Sequence, residues 1–168
     1  VKLGDRYDVS LFTRQLAGSA FPLTVRLESK AGALLAEARL PAPTAVWKKS
    51  SVVLTPSATD TDARIIVLAG GPGKVALNLV SLFPKKTFHN RPNGLRADLA
   101  QIIADLKPKF VRFPGGCLVH GDGLDNIYRW KETIGPVEQR KPQPNIWRYH
   151  QSKGLGFFEY FQFCEDIG

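Results

Sequence analysis

The chain has 168 residues, an apolar fraction of 43% and a formal net charge of +8, so it can form one good hydrophobic core or two small ones. This composition excludes a disordered chain, and no apolar run approaches the roughly 20 residues of a transmembrane helix. The excess charge is divided evenly, +4 in residues 1–84 and +4 in residues 85–168, which disfavours a nucleic-acid-binding protein.

The two ends of the sequence lack the features of a complete chain. There is no Met, strand-like alternation is under way by Tyr7, and Gly168 directly follows a helical pattern. The first twenty residues mix charged and apolar positions, so no signal peptide is predicted. Cys117 and Cys164 lie far apart and are expected to be free thiols. We expect a piece of a longer protein.

Residues 1–84 alternate apolar and polar side chains with a period of two, the pattern of half-buried strands. In the first run Tyr7, Val9, Leu11 and Thr13 share one face. In the second run Leu23, Val25 and Leu27 share one face. Further strand-like runs occupy residues 34–40, 49–55, 63–69 and 74–83. Six short strands separated by Pro, Gly, Ser and Asp clusters predict an antiparallel β-sandwich.

The stretch GGPGK at residues 70–74 has some likeness to a phosphate-binding loop. In such a loop the first glycine would stand at Leu68 and the hydroxyl residue at Val75, and neither position fits. A Gly-Pro-Gly hairpin joining two strands is the better interpretation.

After Pro84 the period becomes helical. Leu95, Leu99, Ile102, Ile103 and Leu106 have helical spacing, with Asn93 as the expected cap and Pro108 at the exit. A short apolar strand is predicted at residues 110–113, then a long polar loop, then a helix within residues 154–167. This order predicts a partial (β/α) barrel over residues 85–168 and an α+β fold overall, with domains 1–84 and 85–168.

The sequence FVRFPGGCLVHG at residues 110–121 is where strand and loop would meet. Pro114, Gly115 and Gly116 end the strand sharply, and glycines let the backbone approach a ligand or a neighbouring strand closely. In βα-barrels functional groups gather at such C-terminal strand ends. The alternative is that the glycines serve only the sterics of a βα turn.

Three stretches together resemble the α-L-arabinofuranosidases of glycoside hydrolase family 51. They are VSLFPKKTFHNRPNGLRADLAQIIADLKPKFVRFPGGCLVHG, YRWKETIGPVEQR and GLGFFEYFQFCEDIG, which cover residues 79–168 almost continuously. Residues 1–78 resemble the sandwich, similar to a jelly-roll carbohydrate-binding module, that some members insert into the early barrel. VSLFTR at residues 9–14 and WKK at residues 47–49 fit that picture more loosely.

The resemblance implies a retaining hydrolase that removes terminal α-L-arabinofuranosyl groups from arabinan and arabinoxylan. Retention needs two carboxylates about 5–5.5 Å apart. In the family both are glutamates on later barrel strands, so this piece is expected to lack the catalytic pair and to be inactive alone. No cofactor is implied, and an extracellular or periplasmic location is expected for the whole protein.

Two pairs of loop carboxylates could still be brought together in the fold. Asp122 and Asp125 lie beside His120, and Glu132 and Glu138 flank the turn IGP. Solvated loop carboxylates are the more ordinary interpretation. The spacing H-x-D-x-x-D fits no helix or strand that would aim all three side chains inward, so no metal site is predicted.

The family pattern assigns supporting roles instead. Arg112 matches an arginine that points at the nucleophile and keeps it ionised, although an ordinary structural salt bridge is the alternative. Gly115 and Gly116 match the turn. Cys117 stands where many members have an Asn that bonds the sugar, and His120 where many Cys-bearing relatives have Glu.

Trp130 and Trp147 are candidates for the floor of a sugar subsite, because the face of an indole ring is apolar. A place in the hydrophobic core is the alternative for both. Of the two, Trp130 lies within a stretch that carries the family resemblance, so it is the predicted substrate-binding residue.

Three functions from different classes therefore remain. The first is a piece of an arabinofuranosidase whose partner is an arabinose-containing polysaccharide or oligosaccharide. The second is a non-catalytic sugar-binding sandwich, and the third is a basic nucleic-acid-binding protein. No membrane partner is predicted. Open edges of an incomplete barrel would allow oligomerisation.

Overall fold

A computed structural model describes all residues from Val1 to Gly168. The fold mixes strands and helices, its sheets are antiparallel, and no closed barrel is present. Contacts between residues divide the chain into two compact units, Val1–Leu99 and Ala100–Gly168. None of the helices combines the length and the hydropathy needed to cross a bilayer.

The first unit contains the six strands that the alternation predicted. They are β1 (Tyr7–Ala17), β2 (Leu23–Glu28), β3 (Leu34–Leu40), β4 (Lys48–Leu54), β5 (Arg64–Ala69) and β6 (Lys74–Pro84). The predicted strands are confirmed at nearly the predicted bounds, and β1 continues three residues beyond Arg14. The strands form two three-stranded antiparallel sheets, in the orders β4-β1-β6 and β3-β2-β5.

The two sheets contribute to one hydrophobic core. Its buried members are Val9, Leu11, Phe21, Leu23, Val25, Leu27, Leu35, Leu40 and Leu54. Val9, Leu11 and Thr13 of β1 face inward, and the residues between them face outward, so the period of two in the sequence corresponds to one buried and one exposed face.

The glycine-rich turn at residues 70–73 does not join a hairpin, which corrects the prediction. β5 pairs with β2 while β6 pairs with β1, so this turn carries the chain from one sheet to the other. Gly73 has φ +156°, and a Cβ there would lie 2.8 Å from Cε1 of Phe21 and 2.9 Å from the carbonyl of Ala17. The glycine is needed because the backbone passes directly over the Phe21 ring.

The first helix begins later than predicted. α1 comprises Ala97–Asp105, and Asn93, the expected cap, has φ +49° and lies well before the helix. Arg96 is held in a bridge with Thr87, and the helix begins only at the next residue. The exit before Pro108 is as predicted, with Lys107 at φ +49°.

Residues 110–113 form no strand, contrary to the prediction. A β-strand requires a neighbour for its backbone N–H and C=O groups, and no other segment of this chain pairs with these residues. The residues that follow contain two helices, α2 (Gly116–His120) and α3 (Phe157–Ile167), and a two-residue ladder between β7 (Gln143–Pro144) and β8 (His150–Gln151). Short 3₁₀ turns occupy Phe88–Asn90, Trp130–Thr133 and Val137–Gln139.

We expect hydrogen exchange to be slow in β1 and β2 and much faster in residues 110–113 and α1. The core cluster lies wholly in the strands and turns before residue 55, whereas Ile102, Leu106 and Phe110 are 60%, 75% and 81% exposed. Few buried apolar contacts mean a low free energy of local opening. Protection of residues 110–113 equal to that of β1 in a monomeric sample would contradict this expectation, and protection that grows with concentration would show association.

Candidate functional site

The segment that carries Arg112 is anchored by the residue next to it. The Phe113 ring stacks on Tyr160 of α3 at 3.8 Å between centroids and meets Tyr128 edge-on at 5.7 Å. Burial raises the pKa of the Tyr128 hydroxyl, and burial likewise raises that of Tyr160. This aromatic cluster fixes the segment to α3 although no ladder holds it.

Arg112 is exposed, and its guanidinium makes no hydrogen bond or ion pair within the chain. The alternative interpretation, an ordinary structural salt bridge, therefore has no carboxylate partner here. An exposed guanidinium offers five N–H donors in a planar fork, which suits a carboxylate bound through two bonds.

The turn after Arg112 needs its first glycine. Gly115 has φ +92° and ψ 162°, a conformation that side-chain-bearing residues rarely adopt. Its carbonyl accepts a hydrogen bond from the N–H of Val119 at 3.1 Å, which starts α2. A Cβ at Gly115 or Gly116 would have no atom within 4 Å. The positive φ of Gly115 therefore favours glycine at this position. The space that side chains at Gly115 and Gly116 would enter is open.

Cys117 and His120 lie at the two ends of the short helix α2, and both are exposed. Nδ1 of His120 contacts the carbonyl oxygen of Gly121, and a carbonyl can only accept, so this contact requires the proton on Nδ1. The Cys117 thiol is a weak donor, and its exposure leaves it accessible to a ligand.

In the following loop, the Asp122 carboxylate is hydrogen-bonded within the loop. The side-chain oxygen of Asn126 accepts hydrogen bonds from the N–H groups of Asp122 and Gly123 at 2.8 and 3.2 Å, and its amide donates to Asp122 at 3.3 Å. No three His, Cys, Asp or Glu side chains come together as metal ligands would.

Trp130 is half exposed. Its ring lies 5.9 Å from that of Phe157, and Nζ of Lys131 stands 5.8 Å from its centroid. With its neighbours Arg129, Lys131 and Glu132 it lines a recess of about 350 Å³. Phe157 also contacts Phe113 at 5.7 Å. One ring thus connects Trp130 to the segment of Arg112.

Sequence reasoning missed the most elaborate polar group of the second unit, a buried ion pair between Arg140 and Glu159. Two guanidinium nitrogens of Arg140 donate to the two carboxylate oxygens at 2.9 and 2.7 Å. The other donors reach the carbonyls of Gly135, Lys153 and Gly154. The Arg140 side chain is 2% exposed. Each of its three guanidinium nitrogens has at least one hydrogen-bond acceptor.

Glu159 also caps α3, because its carboxylate accepts the N–H of Gly156 at 2.8 Å. Burial acts to raise the pKa of this carboxyl, but the bonds from Arg140 and Gly156 outweigh it, and the pKa is lowered. The one sequence signal was a Glu three residues after the glycine that precedes a helical pattern. Nothing in the sequence indicated Arg140 as its partner.

A second ion pair joins Lys153 and Glu132. The Lys153 side chain is fully buried, and its hydrogen bond lowers the pKa of Glu132. The neighbouring Thr133 hydroxyl accepts the N–H of Phe157 at 3.0 Å and donates to the carbonyl of Trp130 at 2.7 Å. Glu132 is therefore a structural partner of Lys153. Its suggested pairing with Glu138 has no support among the contacts of either residue.

The second unit therefore presents an exposed arginine, an open glycine turn, an accessible thiol and a half-exposed indole on a scaffold of aromatic rings and ion pairs. The carboxylates Glu132 and Glu159 are committed to cations. Such a surface can bind and orient a polar ligand or a neighbouring carboxylate. Glu132 and Glu159, which are paired with cations, are not available as the two free carboxylates that glycoside hydrolysis needs.

Comparisons with known proteins point to one family. Residues 102–168 match the family described as the alpha-L-arabinofuranosidase 1 domain. Over its whole length the chain is 47% identical to the extracellular exo-alpha-L-arabinofuranosidase of Streptomyces chartreusis and 40% identical to alpha-L-arabinofuranosidase 1 of Arabidopsis thaliana. It spans 21% and 25% of these relatives.

A solved structure of an arabinose-bound family 51 α-L-arabinofuranosidase has the same fold over 99% of the chain, with a TM-score of 0.88 and 35% identity. The chain covers 29% of that structure. The match includes both units, the six strands as well as the segment around Arg112.

Proposed function

Because the chain is a segment of the glycoside hydrolase family 51 α-L-arabinofuranosidases, we propose that the intact protein is a retaining α-L-arabinofuranosidase. In such an enzyme one carboxylate attacks the anomeric carbon while the other protonates the leaving oxygen and then activates water. This segment supplies neither carboxylate. It supplies residues that position the two carboxylates, such as Arg112, and part of the sugar site.

The observation that supports this most directly is the likeness to the arabinose-bound enzyme at 35% identity over nearly the whole chain. Sequence identities of 47% and 40% to two proteins named as arabinofuranosidases support the same proposal. The two relatives come from a bacterium and a plant, so the likeness is not confined to one lineage.

The finer architecture follows from the same relationship. We infer that residues 1–84 are a β-sandwich similar to a carbohydrate-binding module, and that residues 85–168 are a slice of a (β/α) barrel. The shared core of the two sheets supports the sandwich. The exposed faces of α1 and of residues 110–111 support the slice, because a barrel would cover them with neighbouring strands and helices.

In the proposed site Arg112 binds the nucleophilic carboxylate and favours its ionised form. Its exposure and lack of a partner within the chain leave it available for this. Gly115 and Gly116 provide a turn open to the ligand, and Cys117 and His120 line it. Trp130 offers the exposed face of its indole to a sugar ring.

The substrates proposed for the intact protein are polysaccharides or oligosaccharides with terminal α-L-arabinofuranosyl groups, such as arabinan and arabinoxylan. Export to the periplasm or the cell exterior is proposed with them. The relative from Streptomyces chartreusis is named as extracellular, and substrates of this size lie outside the cell.

We expect residues 1–168 alone to show no arabinofuranosidase activity, because the catalytic glutamates are proposed to lie outside this chain and because Glu132 and Glu159 are paired with cations. The measurement is release of nitrophenol from a nitrophenyl arabinofuranoside by this chain and by the intact protein, at equal molarity. Activity only in the intact protein is the expected result. Comparable turnover by both would place the catalytic carboxylates within this chain, and inactivity of both would reject the proposed function.

A further inference from the structure

The outward face of one sheet carries an unusual combination of aromatic and basic side chains. We call Phe12, Arg14, Trp47 and Lys49 the basic aromatic patch. Phe12 and Arg14 alternate with the buried residues of β1 and therefore face outward. Lys49 is directly opposite Phe12 in the ladder with β4. Trp47 lies immediately before β4, in the loop that Arg14 and Gln15 hold against β1.

The loop that carries Trp47 is held against β1 by two hydrogen bonds. The loop before β4 is tied to β1 by the N–H of Gln15, which donates to the carbonyl of Thr44 at 2.8 Å. Nε of Arg14 donates to the carbonyl of Ala45 at 3.1 Å. Trp47 is nevertheless 46% exposed. An exposed indole held on an ordered loop costs little entropy to bind with.

The electrostatics of the patch are positive throughout. Nζ of Lys49 stands 5.6 Å from the Phe12 ring centroid, and two guanidinium nitrogens of Arg14 remain for a ligand. The nearest acidic side chain on the outward face of β1 is Asp8, and it is neutralised by Lys85 at 3.2 Å. On the other side of Phe12 the ladder places Asn78, which is exposed and adds amide groups.

We propose that this patch binds an acidic polysaccharide, one whose sugar rings carry carboxylate groups. The apolar faces of Trp47 and Phe12 match the C–H faces of pyranose rings, and Arg14 and Lys49 match carboxylates. A carboxylate-bearing glycan would engage the ammonium of Lys49 and the free guanidinium nitrogens of Arg14, which a neutral glycan would not. The patch belongs to the first unit, whereas the residues proposed for the sugar site belong to the second.

The choice of a polysaccharide over other polyanions rests on the proposed function, since a polysaccharide hydrolase meets such chains. The patch would hold the enzyme on an acidic backbone while neutral arabinofuranosyl groups are removed. Its existence does not depend on that activity, and the two can be tested separately.

The test measures affinity of the 168-residue chain for polygalacturonate, neutral arabinan and a single-stranded oligodeoxynucleotide by calorimetry at low and high salt. We expect binding to polygalacturonate that weakens as salt rises, and weaker binding to arabinan. Trp47→Ala should weaken polygalacturonate binding by about tenfold. Lys49→Gln should weaken it by about threefold at low salt, with less effect at high salt.

Lys109→Gln and Phe158→Ala are the matched controls, because both residues are exposed, lie in the second unit and have no proposed part in sugar binding. They should leave affinity unchanged. Should Trp47→Ala fail to fold by circular dichroism, Lys49→Glu decides, since charge reversal on the surface should abolish binding.

The proposal would be overturned by equal losses in patch and control variants, by no binding to polygalacturonate, or by oligodeoxynucleotide binding of the same strength and the same sensitivity to Trp47→Ala. Hydrolysis of a nitrophenyl arabinofuranoside by the intact wild-type protein is scored separately. Its absence would reject the proposed function and leave polygalacturonate binding to be judged by itself.

Discussion

Replacement of Arg112 by alanine in the intact protein is expected to lower kcat by more than about tenfold, or ~1.4 kcal/mol of transition-state stabilisation. A guanidinium within about 4–6 Å lowers the pKa of a carboxyl by roughly 1–3 units. Without it the pKa of the nucleophile rises, and the ionised form is lost at a higher pH. The acidic limb of the pH–rate profile should therefore move toward neutral.

Two further variants separate charge from geometry. Arg112→Lys keeps the positive charge but loses the planar fork, so it should show a smaller pH shift than Arg112→Ala with a clear loss in kcat. Cys117→Asn changes no charge and introduces an amide that can donate to a sugar hydroxyl, so it should change KM more than the pH profile.

The measurement is kcat and kcat/KM against pH for the wild type and these variants. An unmoved acidic limb in Arg112→Ala together with less than about a tenfold loss would mean that Arg112 only braces the backbone beside the glycine turn.

The largest effect on stability is expected from Glu159→Ala. This change leaves the Arg140 guanidinium, 2% exposed, without its carboxylate, and it removes the cap of α3. Breaking a buried ion pair by removing one partner costs about 3–5 kcal/mol. Because the Glu159 side chain is still 22% exposed, we expect the low end of that range. Urea unfolding followed by tryptophan fluorescence measures it.

The same pair predicts a pH dependence. The pKa of Glu159 is lower in the folded state than in the unfolded state, so its contribution to stability is present above the unfolded value of about 4.3 and is lost as pH falls through the folded value. Glu159→Gln keeps the shape but cannot titrate. Its stability should be lower than that of the wild type at neutral pH and should change less in this acidic range.

The exposed pair of Arg96 and Asp98 provides the control, since Asp98→Asn removes a similar geometry from a site open to water. It should change the free energy of unfolding much less than Glu159→Ala. A loss as large as that of Glu159→Ala would show that burial of Arg140 is not the source of the effect.

Much of the first unit was predictable because alternation records burial directly. Over residues 7–14 of β1 each inward residue is buried and each outward one is at least partly exposed, so the strands followed from local sequence at almost their observed bounds. The turn at residues 70–73 was not predictable in the same way. Whether it closes a hairpin or crosses between sheets depends on which strands pair, and pairing is decided by distant residues.

The sequence by itself determined the six strands, the final helix and, through the three stretches within residues 79–168, the resemblance to the family. These are local properties: periodicity, turn chemistry and a contiguous motif. The tertiary structure decided the rest. Residues 110–113 have strand-like composition but no ladder partner. Arg140 and Glu159 are 19 residues apart, and only the fold of the loop between them buries Arg140 against Glu159 and makes the pair obligatory.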